Sequence, residues 1–408
     1  MIRALETVQG SAYGPDEALL VLEDGTAARG RAYGAKGRAA GDMVFTTSMT
    51  GYQEVLTDPR HAGQIVMMTA PHVGNVGMIP EDSRSGRIWA SGLIVRDPAR
   101  RASHWRAETE LDAELRAQDV VGIAEVDTRA LTRHLRDHGV LRAGIFSGPH
   151  LPSVPGPQGI QPLLAQVRQS AAITGTALSE QVSTAAAYTL EPDGNPDQQG
   201  PTVAVLDLGM DTRTLRALTG RGLRAHVLPA AAGADQVLAG DPDGVFFTNG
   251  PGDPAEMDRA VEVARAVLAA KIPFLGLGLG HQILGRALGL ETYALHAGHR
   301  GRNHPVQELD TGKVLITTHN HGFAVQAPTA EPIAEPAMSP YEGGRFGRVR
   351  VSHVSLTDQV VEGLECVDVP ALSVQFHPGA GHEAGRPYDR FAAMISTDAA
   401  TRVASEEN

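Results

Sequence analysis

Three short stretches hold the residues best placed to do chemistry. "FLGLGLGHQILG", Phe274 to Gly285, reads as a buried strand, a glycine-tight turn and a helix. Gly276 and Gly280 flank the turn in the G-x-[nucleophile]-x-G pattern, which permits the sharp strand-to-helix elbow that lifts a nucleophile to its apex. The apex here is Gly278, which cannot attack anything. A dinucleotide fingerprint needs G-x-G-x-x-G. From Gly276 or Gly278 the sixth position is His281 or Ile283, so that reading fails. "SVQFHPGAG" puts His377 just after an apolar strand, a position suited to a general base, although taken alone the feature reads more readily as a structural histidine. "FFTNGPGDP" puts Gly250 and Gly252 at a strand end, where backbone N–H groups can approach an oxyanion or simply form a tight turn.

Two other groups carry potential chemistry. His296, His299, His304, His319 and His321 are loosely clustered in sequence. A metal centre needs two or three of them to converge with a carboxylate, and their spacing matches no zinc pattern, so no metal is expected. The single cysteine, Cys366, excludes an intrachain disulfide and reads as a small buried hydrophobe.

The elements that must position these residues follow from pattern. In the first part, "ALLVLEDGTAARGRAYG" predicts two strands around Asp24-Gly25, and "GQIVMMTAPHVGNVG" and "ASGLIVRD" predict further strands. "DTRALTRHLRDHG" predicts a helix capped by Asp127 or Thr128 and stopped at Gly139, which makes this part α+β. "TLEPDGNPDQQGPT" is polar and rich in Pro and Gly, and predicts a linker over 189–200 between domains spanning 1–188 and 201–408. After it, "TVAVLDLG", "RAHVLPA", "GVFFTNGPGDP" and "IPFLGLGLG" alternate with the helical patterns "DTRTLRALTGRG" and "MDRAVEVARAVLAA". That rhythm predicts a doubly wound, flavodoxin-like α/β domain, with ligands beyond the carboxyl ends of its strands. The stretch 331–350 reads as a surface insertion whose Pro, Gly and Arg content resists packing.

Composition sets outer bounds. The 408 residues are enough for two or three domains, and the formal charge of −12 argues against non-specific binding to nucleic acid or a membrane surface. No apolar run reaches the length of a membrane span and the N-terminus shows no signal-peptide core, so a cytoplasmic location is expected.

Taken together the motifs resemble the carbamoyl-phosphate synthase small-chain family over nearly the whole chain. "VFTTSMTGYQEVLTDP", "APHVGNVG" and "DTRALTRHLRDHG" carry the N-terminal resemblance. "NGPGDP", "GLGHQILG", "GRNHPV", "HNHGFAV" and "QFHP", in that order, are similar to a class I glutamine amidotransferase domain. The resemblance implies a cysteine thiolate at the elbow that attacks the amide of L-glutamine, a histidine that moves protons, and a glutamate that orients the histidine. Ammonia would pass to a separate large chain, in a heterodimer, for carbamoyl phosphate synthesis from bicarbonate and ATP in arginine and pyrimidine biosynthesis. ATP and a divalent cation belong to that partner, since this chain shows no phosphate loop. The resemblance also implies a glutamine pocket of Ser48, Gly250, Gly252, Leu279, Gln282, Asn320, Gly322 and Phe323, with Ser48 reaching in from the N-terminal domain. The Gly252 and Leu279 N–H groups would form the oxyanion hole.

The implied triad is incomplete. Gly278 stands at the cysteine position and Gly379, in "HPGA", at the glutamate position, leaving His377. Arg302 replaces a usual glycine and Asp211 a usual lysine. Cys366 and Glu383 do not lie at the required points of the pattern. Three readings result: a working glutaminase subunit, a glutaminase-dead partner of a ligase using free ammonia, and a lone glutamine-binding module. The residues favour the second.

Overall fold

The computed structural model describes residues 14–154, 156–193, 200–327, 341–342, 344–378 and 385–406. The chain divides into two compact units, Met1–Thr176 and Ala177–Asn408.

In the first unit seven strands close into a barrel. Their spatial order is Glu17–Leu22, Ala27–Gly34, Val121–Ala124, Gly92–Ile94, Gln64–Met68, Arg38–Thr46 and Leu141–Ser147. The first two flank the expected turn: Asp24 Oδ1 accepts from the Thr26 N–H at 2.8 Å, and Gly25 takes φ +93°. The helix Thr128–His138 is capped by Asp127, which accepts from the Ala130 N–H at 3.0 Å. It buries Leu131 and Leu135 against the barrel core and stops at Gly139, φ +85°.

The second unit is built on an eleven-stranded sheet. Its core is five parallel strands in the order Arg224–Pro229, Thr202–Asp207, Gly244–Phe247, Phe274–Leu277, Ala371–Val374. Side chains alternate across a strand, so a strand covered on both faces must be apolar throughout. Val203, Val205, Phe246 and Leu275 pack on one face with Leu215, Leu218 and Phe391. Ala204, Leu206, Phe247 and Phe274 pack on the other with Val261, Val267 and Ile283. Helices thus cover both faces, as the alternating sequence pattern predicts. Beyond Ala371–Val374 the sheet continues antiparallel through Val361–Cys366, Val314–Val325, Thr292–Glu308 and Arg348–Ser355.

Two expectations are corrected here. The division falls at Thr176 and not at 188, and the expected linker begins inside a strand. Tyr188–Leu190 pairs antiparallel with Arg224–Pro229, and the Thr184 N–H donates to the Asp207 carboxylate at 2.7 Å. Polar composition marks this segment as an exposed sheet edge, and the pairing of its backbone makes it part of the second unit. The stretch 331–350 is likewise not all insertion. Its end enters the strand Arg348–Ser355, where Val349 is buried and Arg348 and Arg350 are paired with Asp368 and with Asp310 and Glu365. Residues 328–340 lie outside the described residues. No helix among the described residues is long and apolar enough to cross a membrane.

Candidate functional site

The site forms at the carboxyl ends of the parallel strands, where the strand order reverses, the place at which open α/β sheets bind their ligands. Leu208–Asp211, Asn249–Gly252, Gly278 and Gln375–His377 all leave these strand ends.

The elbow is intact. Gly278 has φ +54° and ψ −108°, a conformation that side chains rarely adopt. Its N–H donates to the Val374 carbonyl at 3.0 Å, tying the apex to the strand that leads to His377. The helix Leu279–Ala287 starts immediately after, so the Leu279 N–H has no intrahelical acceptor and sits at the positive end of the helix dipole. Gly250 is required by a close approach: a Cβ there would lie 2.0 Å from the Leu208 carbonyl oxygen. Gly252 takes φ +110°. Asn249 is buried beside the apex, and its Nδ2 donates to the Gly209 carbonyl at 3.4 Å.

Gln282, in the first turn of the elbow helix, donates from Nε2 to the Phe323 carbonyl and to Gln375 Oε1, both at 2.9 Å. The strand Val314–Val325 carries Asn320, Gly322 and Phe323, and its Thr318 carbonyl accepts from the His377 N–H at 2.9 Å. The second unit therefore brings together Gly250, Gly252, Gly278, Leu279, Gln282, the 320–323 segment and His377. Ser48 belongs to the first unit, half-buried, its hydroxyl accepting from Thr46 Oγ1 at 3.3 Å. Gly379 and Glu383 lie outside the described residues.

His377 is buried, and the wholly buried Asp211 places its carboxylate 3.4 Å from His377 Nε2. Asp211 also caps the helix Thr212–Thr219, accepting from the Arg213 N–H at 2.6 Å. The sequence marks Asp211 only as an unusual residue; its place beside the imidazole comes from the crossing of two strand ends. Cys366 is buried in the core on Val361–Cys366, and burial pushes its thiol up to about 12, so it is not ionised; its neighbour Glu365 pairs with Leu372, toward the end of Ala371–Val374 away from the apex. His281, beside the apex, is held by Ser373 Oγ at 2.9 Å, and burial pulls it down to about 3, which keeps it neutral.

The family description "Carbamoyl-phosphate synthase small chain, CPSase domain" matches residues 20–145, and "Glutamine amidotransferase class-I" matches 204–394. A carbamoyl phosphate synthase small chain of Streptomyces avermitilis is 53% identical over 93% of this chain and 96% of its own length. One from Mycobacterium tuberculosis is 48% identical over 93% of this chain and 98% of its own. This chain belongs to the carbamoyl-phosphate synthase small-chain family. A solved glutamine amidotransferase of Thermotoga maritima aligns with a TM-score of 0.32 at 16% identity, covering 50% of this chain and 86% of that one. As a family member, the chain carries a small-chain domain followed by a class I glutamine amidotransferase domain, which is the fold class expected from its motifs.

Chemically, the site offers a preformed elbow, a helix N-terminus and a buried histidine–carboxylate contact, with no nucleophile at the apex. A small-chain amidotransferase site built on this frame can hold a polar ligand at the strand ends and present backbone N–H groups to its oxygen.

A second cluster lies on the antiparallel part of the sheet. His299, His319, His321 and Glu362 are all buried, and their ligand atoms lie within 4.8 Å of one another. Burial lowers the His299 pKa, but hydrogen bonds to Asp358 and Glu362 outweigh it and leave it raised to about 9. Burial pushes Glu362 up to about 7, and pulls His321 well below the usual imidazole range. The sequence expectation of no metal-binding group rested on histidine spacing alone. The alternation of His319 and His321 on one strand face was a legible signal; the Glu362 contribution, from a separate strand, was not.

Proposed function

We propose that this chain is the small subunit of a carbamoyl-phosphate synthase that binds L-glutamine without hydrolysing it. The observation that carries this reading is the elbow: φ +54° at an apex occupied by glycine, with the chain's one thiol buried elsewhere. Hydrolysis of the amide needs a nucleophile, and losing one from a comparable triad costs about 10⁶ in turnover. The residues of the implied pocket in the second unit, Gly250, Gly252, Leu279, Gln282, Asn320, Gly322 and Phe323, are all present, and so is Ser48 in the first unit. The partner is the large chain of the synthase, in a heterodimer that draws on free ammonia. ATP and a divalent cation act on that large chain, in the cytoplasm, toward arginine and pyrimidine precursors.

Calorimetry with L-glutamine, paired with a glutamate-release assay in the presence and absence of the large chain, tests the reading. Binding without release is expected. Release at a rate ordinary for glutaminases, or no binding at all, would overturn it.

A further inference from the structure

Three adjacent antiparallel strands bring the buried cluster together. His319 and His321 alternate on Val314–Val325 and so share a face. His299, on Thr292–Glu308, stands directly opposite His321 in the ladder. Glu362 enters from Val361–Cys366, whose Val361 pairs with Val325. The four residues are 8%, 2%, 8% and 0% exposed for His299, His319, His321 and Glu362.

The hydrogen bonds behind the rings determine which nitrogens carry protons. His299 Nε2 lies 2.7 Å from the Asp358 carboxylate, which only accepts, so the proton sits on Nε2. His321 Nδ1 donates to the Phe323 carbonyl at 2.9 Å, which fixes its proton there. Thr317 Oγ1 donates to the His304 carbonyl at 2.9 Å, and the same oxygen lies 2.6 Å from His319 Nε2. Having given its one proton away, the hydroxyl accepts from His319 Nε2.

Each ring therefore holds a proton on its far nitrogen and turns its other nitrogen inward. His299 Nδ1, His319 Nδ1 and His321 Nε2 face Glu362 Oε1 at 3.3, 3.6 and 3.7 Å, and the two strand-sharing imidazoles approach at 3.0 Å. Three inward ring nitrogens and a carboxylate oxygen converge, Glu362 Oε2 has no hydrogen-bond partner among the described residues, and the second proton that His299 holds against Glu362 is the one a bound cation would displace. A buried arrangement of that kind is costly unless a cation sits at its centre. A tetrahedral ion with bonds of about 2.0–2.1 Å has ligand–ligand edges of about 3.3 Å, close to these spacings.

We propose that His299, His319, His321 and Glu362 form a closed, four-coordinate site for a divalent transition metal, zinc by its donor set. Three imidazoles disfavour calcium and magnesium, which take oxygen ligands. All four positions are filled by protein, so the ion is structural rather than catalytic. The Asp358 carboxylate behind His299, the Thr317 hydroxyl behind His319 and the Phe323 carbonyl behind His321 are the outer partners that orient metal-binding imidazoles. The Phe323 carbonyl also accepts from Gln282 Nε2, so the ion pins the 319–323 segment beside the elbow helix. This assignment does not depend on the chain binding glutamine.

The full-length chain, purified without chelator, is expected to contain about one zinc per chain by elemental mass spectrometry. After stripping, Co²⁺ should give the strong visible absorption of a tetrahedral site, and added zinc should raise the melting temperature. His319→Gln and Glu362→Gln should each abolish the cobalt band. Asp358→Asn leaves every ligand in place and should weaken Co²⁺ binding by about 10–100-fold. The proposal is overturned if the wild-type chain is metal-free, shows no tetrahedral cobalt band, and melts identically with zinc and with chelator. A six-coordinate cobalt spectrum would refute the donor set. The wild-type titration and the half-exposed Asp358 variant keep the test decisive if the buried ligand variants do not fold.

Discussion

Gly278→Cys puts the proposed silence of the elbow to its most direct test. Two costs can be worked from the geometry. A side chain at φ +54°, ψ −108° stores about 1–3 kcal/mol of backbone strain. Its Cβ would meet Asn249 Cβ at 3.0 Å, a tight contact that Asn249 must relieve by a small shift. For a unit the size of Ala177–Asn408 each kcal/mol lowers the melting temperature by about 2–4 °C, so the variant should melt lower but fold. Its activity follows from how triad losses combine. Removing a nucleophile costs about 10⁶ and removing the orienting acid about 10⁴, and the two do not multiply. Restoring the thiol while Gly379 remains should therefore raise glutamate release by about 10² over the present chain. Gly278→Cys,Gly379→Glu should add up to about 10⁴ more, and Gly379→Glu alone should add nothing, because an oriented base has no thiol to activate. Asp211 modifies this scale. Its carboxylate, 3.4 Å from His377 Nε2, can stabilise the imidazolium formed when the ring takes the thiol proton. Any orientation it supplies appears as a further loss in Gly278→Cys,Asp211→Asn. Glutamate release should be measured with the large chain present and with each variant's melting curve in hand. If the double variant folds and stays silent, the reasoning fails. The pocket is then damaged elsewhere, and Arg302 and Asp211 are the next positions to test.

Cys366 should resist iodoacetamide in the native chain at pH 8, because burial holds its thiol at about 12, and should react fully after denaturation. Native labelling of the parent chain would refute that burial. The same assay on Gly278→Cys should report a single new reactive thiol at the apex. In the first unit, Asp58 and Arg60 form a buried ion pair. Asp58→Asn removes the carboxylate charge that faces the buried guanidinium, and should cost up to about 3–5 kcal/mol by denaturant unfolding. Burial raises the Asp58 pKa, and the Arg60 charge outweighs it, so the folded value lies below the ordinary aspartate value of 3.8. Its contribution is accordingly complete above that value and is lost as pH falls through the folded pKa. An unchanged unfolding midpoint in Asp58→Asn would refute the role given to the pair.

Much of the frame was legible because its signals are local. The apolar runs "TVAVLDLG" and "GVFF" carry the doubly buried strands, and Asp127 and Gly139 bound their helix as cap and stop chemistry requires. The misses came where distant chain segments decide. Tyr188–Leu190 looks like linker because its side chains are exposed, yet its backbone completes the edge of a sheet formed mostly by later residues. Barrel closure in the first unit pairs Glu17–Leu22 with Leu141–Ser147, a relation that no local pattern encodes. Asp211 and Glu362 acquire their neighbours in the same way, across strand ends and across a ladder.

The three elbow glycines show why the frame can outlast its chemistry. A Cβ at Gly276 would lie 2.6 Å from the Gly280 carbonyl oxygen, and one at Gly280 would lie 2.4 Å from that of Phe247. Both contacts are to backbone, which cannot move without parting the elbow from its neighbouring strand, so these two positions exclude any side chain. The apex differs: its nearest contact is the Asn249 side chain, at 3.0 Å. Packing therefore demands the flanking glycines whatever the apex carries, while the apex itself tolerates a side chain only against backbone strain. Replacing a nucleophile by glycine there relieves that strain and disturbs no contact of the turn. A chain with glycine at the apex accordingly retains a folded elbow and elbow helix, and the change that removes the nucleophile adds to the stability of the turn rather than subtracting from it.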